Sequence, residues 1–188
     1  MFNAARLKLI TGLALLLAAL LYWGIFGSPG EILSGDPDDP ERVDFFIRDA
    51  YITRFDENGQ LSRIIESPHL QHFPVPELIT LTSPLITLPR DNGGDTQISS
   101  DLGSMPDDES KIELAGNVRV IDNSAAETPW VLTTSVMTLL PPDDYAETDA
   151  PVQLIQGTNR TDAIGMQAWL REHRIDLLSD VRGYYATY

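Results

Sequence analysis

The chain has 188 residues, which suits one ordinary domain with one core rather than two. It has no cysteine, so disulfides, thiolate zinc sites and cysteine nucleophiles are excluded together, and an oxidising compartment is allowed. Its formal charge of −15 repels phosphate backbones and anionic headgroups, which sets nucleic acid aside as a partner.

Residues 1–8 carry Arg6 and Lys8 and precede an uncharged run over residues 9–26. Eighteen residues at 1.5 Å rise span about 27 Å, enough to cross a thin hydrocarbon core. The run is longer than the apolar stretch of a signal peptide. It closes on Tyr22, Trp23 and Phe26, where a cleavage site would need small residues. It therefore reads as a retained single-pass anchor. Basic residues before it and acidic residues after it put the N-terminus in the cytoplasm and the rest outside, which in a Gram-negative cell is the periplasm.

Gly, Pro and Asp dominate from Gly27 to about Pro40, and residues 27–43 read as a tether with no apolar face. Past the leader, the remainder holds 11 basic residues against all 28 acidic ones, a formal −17. Its only lysine is Lys111, and its arginines are scattered singly.

Residues 44–188 read as strands. The clearest local signal is a hairpin in which residues 46–55 run into Asp56-Glu57-Asn58-Gly59 and residues 61–65 return, with Asn-Gly supplying the positive φ of the turn. Further strands are expected at 78–83, 85–88, 96–100, 111–121, 130–140, 152–156, 164–170, 174–178 and 181–185, most of them bounded by Pro, Gly, Asn or Asp. Met166, Leu170 and His173 also fit a helix, but strand is preferred there. Over 111–121, Ile112, Leu114, Val118 and Val120 share one parity and Lys111, Glu113, Asn117 and Arg119 the other, the pattern of a strand with one wet face. Gly116 falls on the apolar parity, where a missing side chain points to a bulge or a close backbone approach. Lys111-Ile112-Glu113-Leu114 with Val118-Arg119 recurs as Arg174-Ile175-Asp176-Leu177 with Val181-Arg182. Such repetition favours an elongated stack with exposed ends over a small closed barrel.

The order of these features resembles the LptC family of the lipopolysaccharide export system over essentially the whole chain. The residues that carry the resemblance are the span, Asp56-Glu57-Asn58-Gly59-Gln60-Leu61, Pro68-His69-Leu70-Gln71-His72-Phe73-Pro74 and Leu114-Ala115-Gly116-Asn117-Val118-Arg119-Val120. Leu132-Thr133-Thr134, Thr148-Asp149-Ala150-Pro151-Val152, Gly157, Gly165-Met166 and Val181-Arg182-Gly183-Tyr184-Tyr185 complete it. Residues 96–103 depart from the pattern, so pairing is least certain there.

The resemblance implies an all-β fold, an open twisted antiparallel β-jelly roll of the OstA-like type, preceded by one transmembrane helix. It implies no enzymatic activity and no cofactor. As partners it implies lipopolysaccharide, the inner-membrane ABC transporter formed by LptB, LptF and LptG, and the periplasmic protein LptA. An apolar trough between two sheets would keep acyl chains out of water at about 0.8 kcal/mol per methylene. Parity nominates Ile112, Leu114, Val118, Ile175 and Leu177 for that trough, with Ile79, Leu81 and Leu132 as neighbours, although the same residues would line any core. With so acidic a domain, the lipid's phosphates are expected at the solvent edge rather than on a basic patch.

Open sheet edges invite strand addition. The first strand, with Phe46, Ile47 and Ile52, is expected to meet the transporter, and the last, with Val181, Arg182, Tyr184 and Tyr185, the next jelly roll. Gly59, Gly116 and Gly157 are expected to hold backbone turns. His69 and His72 lack a third ligand and read as surface or packing histidines rather than a metal pair. The acidic runs at 36–41, 107–109 and 143–144 lack calcium-loop spacing and read as solvated loops.

Overall fold

The computed structural model describes residues 16–17, 42–90, 93–123, 128–170, 172 and 174–185. The chain divides into two units, residues 1–39 and residues 40–188. The expected membrane span and almost all of the tether lie outside the described residues. Only Leu16 and Leu17 of the first unit are described, both helical and exposed. No helix among the described residues is long and apolar enough to cross a membrane.

The second unit is one antiparallel sheet of eleven strands among the described residues. They are β1 (Phe45–Phe55), β2 (Leu61–Phe73), β3 (Leu78–Thr82), β4 (Leu85–Pro89), β5 (Asp95–Ser99), β6 (Leu102–Pro106), β7 (Ile112–Asp122), β8 (Trp130–Leu140), β9 (Tyr145–Gln156), β10 (Asn159–Trp169) and β11 (Arg174–Tyr184).

Two long strands each serve two short neighbours on one side. The first half of β2 pairs β4 and its second half pairs β3. In the same way β7 pairs β6 through its first half and β5 through its second. Because β3 also pairs β6 and β4 pairs β5, the strands β2, β3, β6, β7, β5 and β4 close into a ring. The sheet thus folds over into two layers, with long strands passing from one layer to the other. β8 to β11 extend both layers on one side of the ring, and β1 extends them on the other.

Several of these passages carry a bulge, although β2 changes partners without one. The ladders slip between Ala115 and Val118, between Thr133 and Thr138, and between Ile164 and Met166. Asp49, Asn117 and Asp180 take left-handed φ values of 52°, 47° and 48° in β1, β7 and β11. In β8 the buried residues are Leu132 and Thr134 before the slip and Met137 and Leu139 after it. That change of parity lets a bending strand keep one face inward. Backbone groups freed by the bends are met by buried hydroxyls. Ser67 Oγ lies 2.8 Å from the carbonyls of both His69 and Thr82, which share its one proton, Ser100 Oγ donates to that of Leu102, and Thr134 Oγ1 to that of Pro151. Leaving such buried groups unpaired would cost about 1–3 kcal/mol each.

The repeat seen in the sequence has a structural counterpart, since Asn117 and Asp180 stand at equivalent places in its two copies and both are left-handed. Gly116 lies where both a bulge and a close approach occur. Its φ is +77°, and an added Cβ would stand 2.6 Å from Asp101 Oδ2.

Several boundaries differ from expectation. The return arm of the first hairpin runs on through Pro68 to Phe73, because Pro68 falls where β2 changes partners. Leu102–Pro106 is a strand that the sequence reading lacked, and β9 begins at Tyr145 rather than at residue 152. Residues 174–178 and 181–185 form one strand, which the left-handed Asp180 bends without ending.

Candidate functional site

All eight residues nominated for the trough turn inward into one apolar cluster. Leu81, Ile112, Leu114, Val118 and Leu132 are at most 2 % exposed, while Ile79, Ile175 and Leu177 are half-buried against them. The parity rule therefore found the correct face, but most of that face is sealed core.

Free space among the described residues includes an apolar cavity of about 70 Å³ and a larger, more open pocket of about 860 Å³ lined by Val118, Thr134, Val152, Ala163 and Tyr184 among others. Val118 lines the larger pocket, and of the eight only Leu132 and Ile175 line the smaller cavity, together with Val120, Met137, Met166, Trp130, Trp169 and Leu170. At its rim the Arg174 guanidinium lies 3.7 Å from the centre of the Trp169 ring, and Tyr145 meets the same ring edge-on. Arg90 Nη2 bonds Thr96 Oγ1 at 2.7 Å and Asp122 Oδ2 at 3.2 Å. These residues come from separate segments, and nothing in their local sequence brings them together.

The edges are open among the described residues, since β1 pairs only β2 and β11 only β10. Phe46, Ile47, Val181, Tyr184 and Tyr185 are exposed, and so is Arg182. Ile52 is different: it is half-buried and packs on the core, so only its backbone belongs to the edge. Tyr51 and Phe55 are 63 % exposed and extend the apolar face of β1 beyond what the sequence reading nominated. Gly59 and Gly157 have φ of +78° and +60°, consistent with backbone roles.

The acidic loop 107–109 is not merely solvated. Asp107 binds His72, Asp108 Oδ1 accepts the backbone N–H of Ser110, and Glu109 binds Arg54 and Arg63. Among the described residues no three His, Asp or Glu side chains converge as a metal site. His69 stacks on Phe46, and His72 stacks on Phe45.

His72 Nδ1 lies 2.6 Å from Asp44 Oδ1, and its Nε2 lies 3.0 Å from Asp107. Carboxylates only accept, so satisfying both ring nitrogens requires the imidazolium. The bond to Asp44, then that to Asp107, raises the His72 pKa, and His72 in turn lowers that of Asp44. The tie between β1, β2 and this loop is therefore complete below the unfolded histidine value of about 6.5 and is lost as pH rises through the higher folded value. An NMR titration should place the His72 midpoint above 6.5, and Asp44→Asn should lower it. A midpoint at or below 6.5 would contradict the double ion pair.

A family model described as "Lipopolysaccharide-assembly, LptC-related" matches residues 11–186. No curated protein matches the sequence. Among solved structures, the chain is similar to LptH, the LptA-homologous periplasmic component of the conserved lipopolysaccharide transport device from Pseudomonas aeruginosa. The TM-score is 0.53 at 4 % identity, over 66 % of this chain and 95 % of that one. At such identity the likeness is one of fold.

Proposed function

Since the chain belongs to the LptC-related family of lipopolysaccharide-assembly proteins, we propose that it is the inner-membrane-anchored relay that receives lipopolysaccharide from the ABC transporter and passes it to LptA. The transporter would be the LptB, LptF and LptG assembly, with β1 docking on its periplasmic side and β11 on the LptA-like jelly roll. The N-terminal run would span the membrane once, leaving the described domain in the periplasm.

One observation carries this reading: a folded sheet whose inner face is largely apolar ends, among the described residues, in two unpaired edges that carry exposed apolar side chains. An unpaired edge is a ready template for an added strand. Adding a like-folded sheet at each edge would continue the same inner face from one protein into the next. The close burial of Leu81, Ile112 and Leu114 favours a second reading, an adaptor that joins the complex without taking lipid in.

Reconstitution separates the two. With transporter proteoliposomes supplying lipopolysaccharide and LptA as acceptor, the full chain should be required for transfer and should itself carry lipid when LptA is withheld. Transfer with no lipid ever recovered on this chain would support the adaptor.

A further inference from the structure

One charge cluster lies outside the apolar interior, at the hairpin end of the edge strand β1. Arg54 on β1 and Arg63 on β2 are cross-strand partners, and both converge on Glu109 in the loop between β6 and β7. Arg54 Nε donates to Glu109 Oε2 at 2.9 Å, its Nη2 bonds Oε1, and Arg63 Nη2 donates to Oε2 at 2.7 Å. Two guanidiniums on one carboxylate make a three-group cluster of net +1, next to the anionic Asp108, in a chain of formal charge −15. The Arg63 side chain is only 11 % exposed, and its Nε is buried without an acceptor. Burial, and then the charge of Arg54, lower its pKa. Neighbouring carboxylates are engaged elsewhere: Asp107 on His72, Asp108 on Ser110, and Asp56 on the backbone N–H groups of Asn58 and Gln60.

A carboxylate offers two oxygens and one charge, whereas a phosphate monoester offers three and up to two, and guanidinium forks match it in geometry. We propose that the Arg54–Arg63 pair is a recognition site for a phosphate monoester on the lipid headgroup, and that Glu109 occupies it as an internal stand-in until the lipid arrives. The proposal rests on the lipid-relay reading above. It also departs from the expectation, drawn from net charge alone, that phosphates stay ungripped: the total is acidic, but the fold gathers two scattered arginines at one point. Since Glu109 ties the β1–β2 hairpin to the β6–β7 loop, its displacement would loosen that tie. Phosphate capture and loosening are then one coupled equilibrium.

The test measures binding of the full chain, in detergent, to lipid A bearing its phosphates, to dephosphorylated lipid A and to inorganic phosphate. Wild type should prefer the phosphorylated lipid by about tenfold or more, the scale of one charge-assisted contact. Arg54→Gln, at an exposed position that leaves the Arg63–Glu109 bond in place, should reduce that preference toward unity. Glu109→Gln should raise affinity for the phosphorylated lipid, and neither variant should alter binding of the dephosphorylated one. Equal changes for both lipids, or an unchanged preference, would overturn the site while leaving lipid carriage intact. Binding of inorganic phosphate with the same Arg54 dependence and no lipid preference would overturn its assignment to the lipid. Failure of wild type to bind either lipid would overturn the relay reading and the site with it.

Discussion

Gly116→Val should destabilise the domain by about 3 kcal/mol or more, lowering its melting temperature by about 10 °C. Two costs combine. A β-branched residue at φ +77° is strained, and the new Cβ would stand 2.6 Å from Asp101 Oδ2 and 3.0 Å from Asp101 Cβ. Asp101 cannot simply move away. Its backbone N–H donates to the Gly116 carbonyl, its carbonyl accepts from Ser83, and its carboxylate accepts from Asn117. The bend of β7, where β5 and β6 both attach, is therefore pinned at this point. Gly59→Val is the control, since φ there is +78° but nothing lies within 4 Å of an added Cβ. It should lose only the strain, about 1–2 kcal/mol. Equal losses in thermal unfolding of the two variants would remove the packing part of the account.

Deleting residues 181–188 should weaken capture of the partner jelly roll by about a hundredfold or more, with little change in stability. Residues 181–185, the described part of the deletion, are exposed throughout and contribute no buried core. A docked edge strand, in contrast, contributes several backbone hydrogen bonds at about 0.5–1.5 kcal/mol each, and Val181, Tyr184 and Tyr185 add apolar area. Pull-down with purified LptA would decide the matter: intact binding by the shortened chain would refute the assignment of β11.

What could be read from the sequence was what is local. The first hairpin was legible because Asn58-Gly59 writes its own turn, and residues 130–140 were legible because their β-forming residues run unbroken between Pro129 and Pro141. The inner faces of β7 and β11 followed from alternation, which a bulge need not erase. β6 was not legible, since Leu-Gly-Ser-Met-Pro has no strand pattern. Gly103 is suited to that site by Pro84, Leu81 and Leu114, which would stand within 3.4 Å of an added Cβ. The start of β9 was hidden because Asp149-Ala150-Pro151 has turn composition, yet it lies where the ladder to β8 is already interrupted. Whether an inward residue fills core or lines space depends on the opposite layer, so alternation alone could not separate Leu114 from Ile175. The Arg54–Arg63–Glu109 cluster was beyond reach for the same reason: its carboxylate lies 55 and 46 positions away from the two arginines.

The central claim is that lipid passes between the layers, and site-specific photocrosslinking in cells tests it most directly. A crosslinker at Ile175, half-buried on the cavity wall, should capture lipopolysaccharide, whereas one at the outward-facing Glu113 should not. Capture at Glu113 with none at Ile175 would contradict the claim and leave the domain as an adaptor.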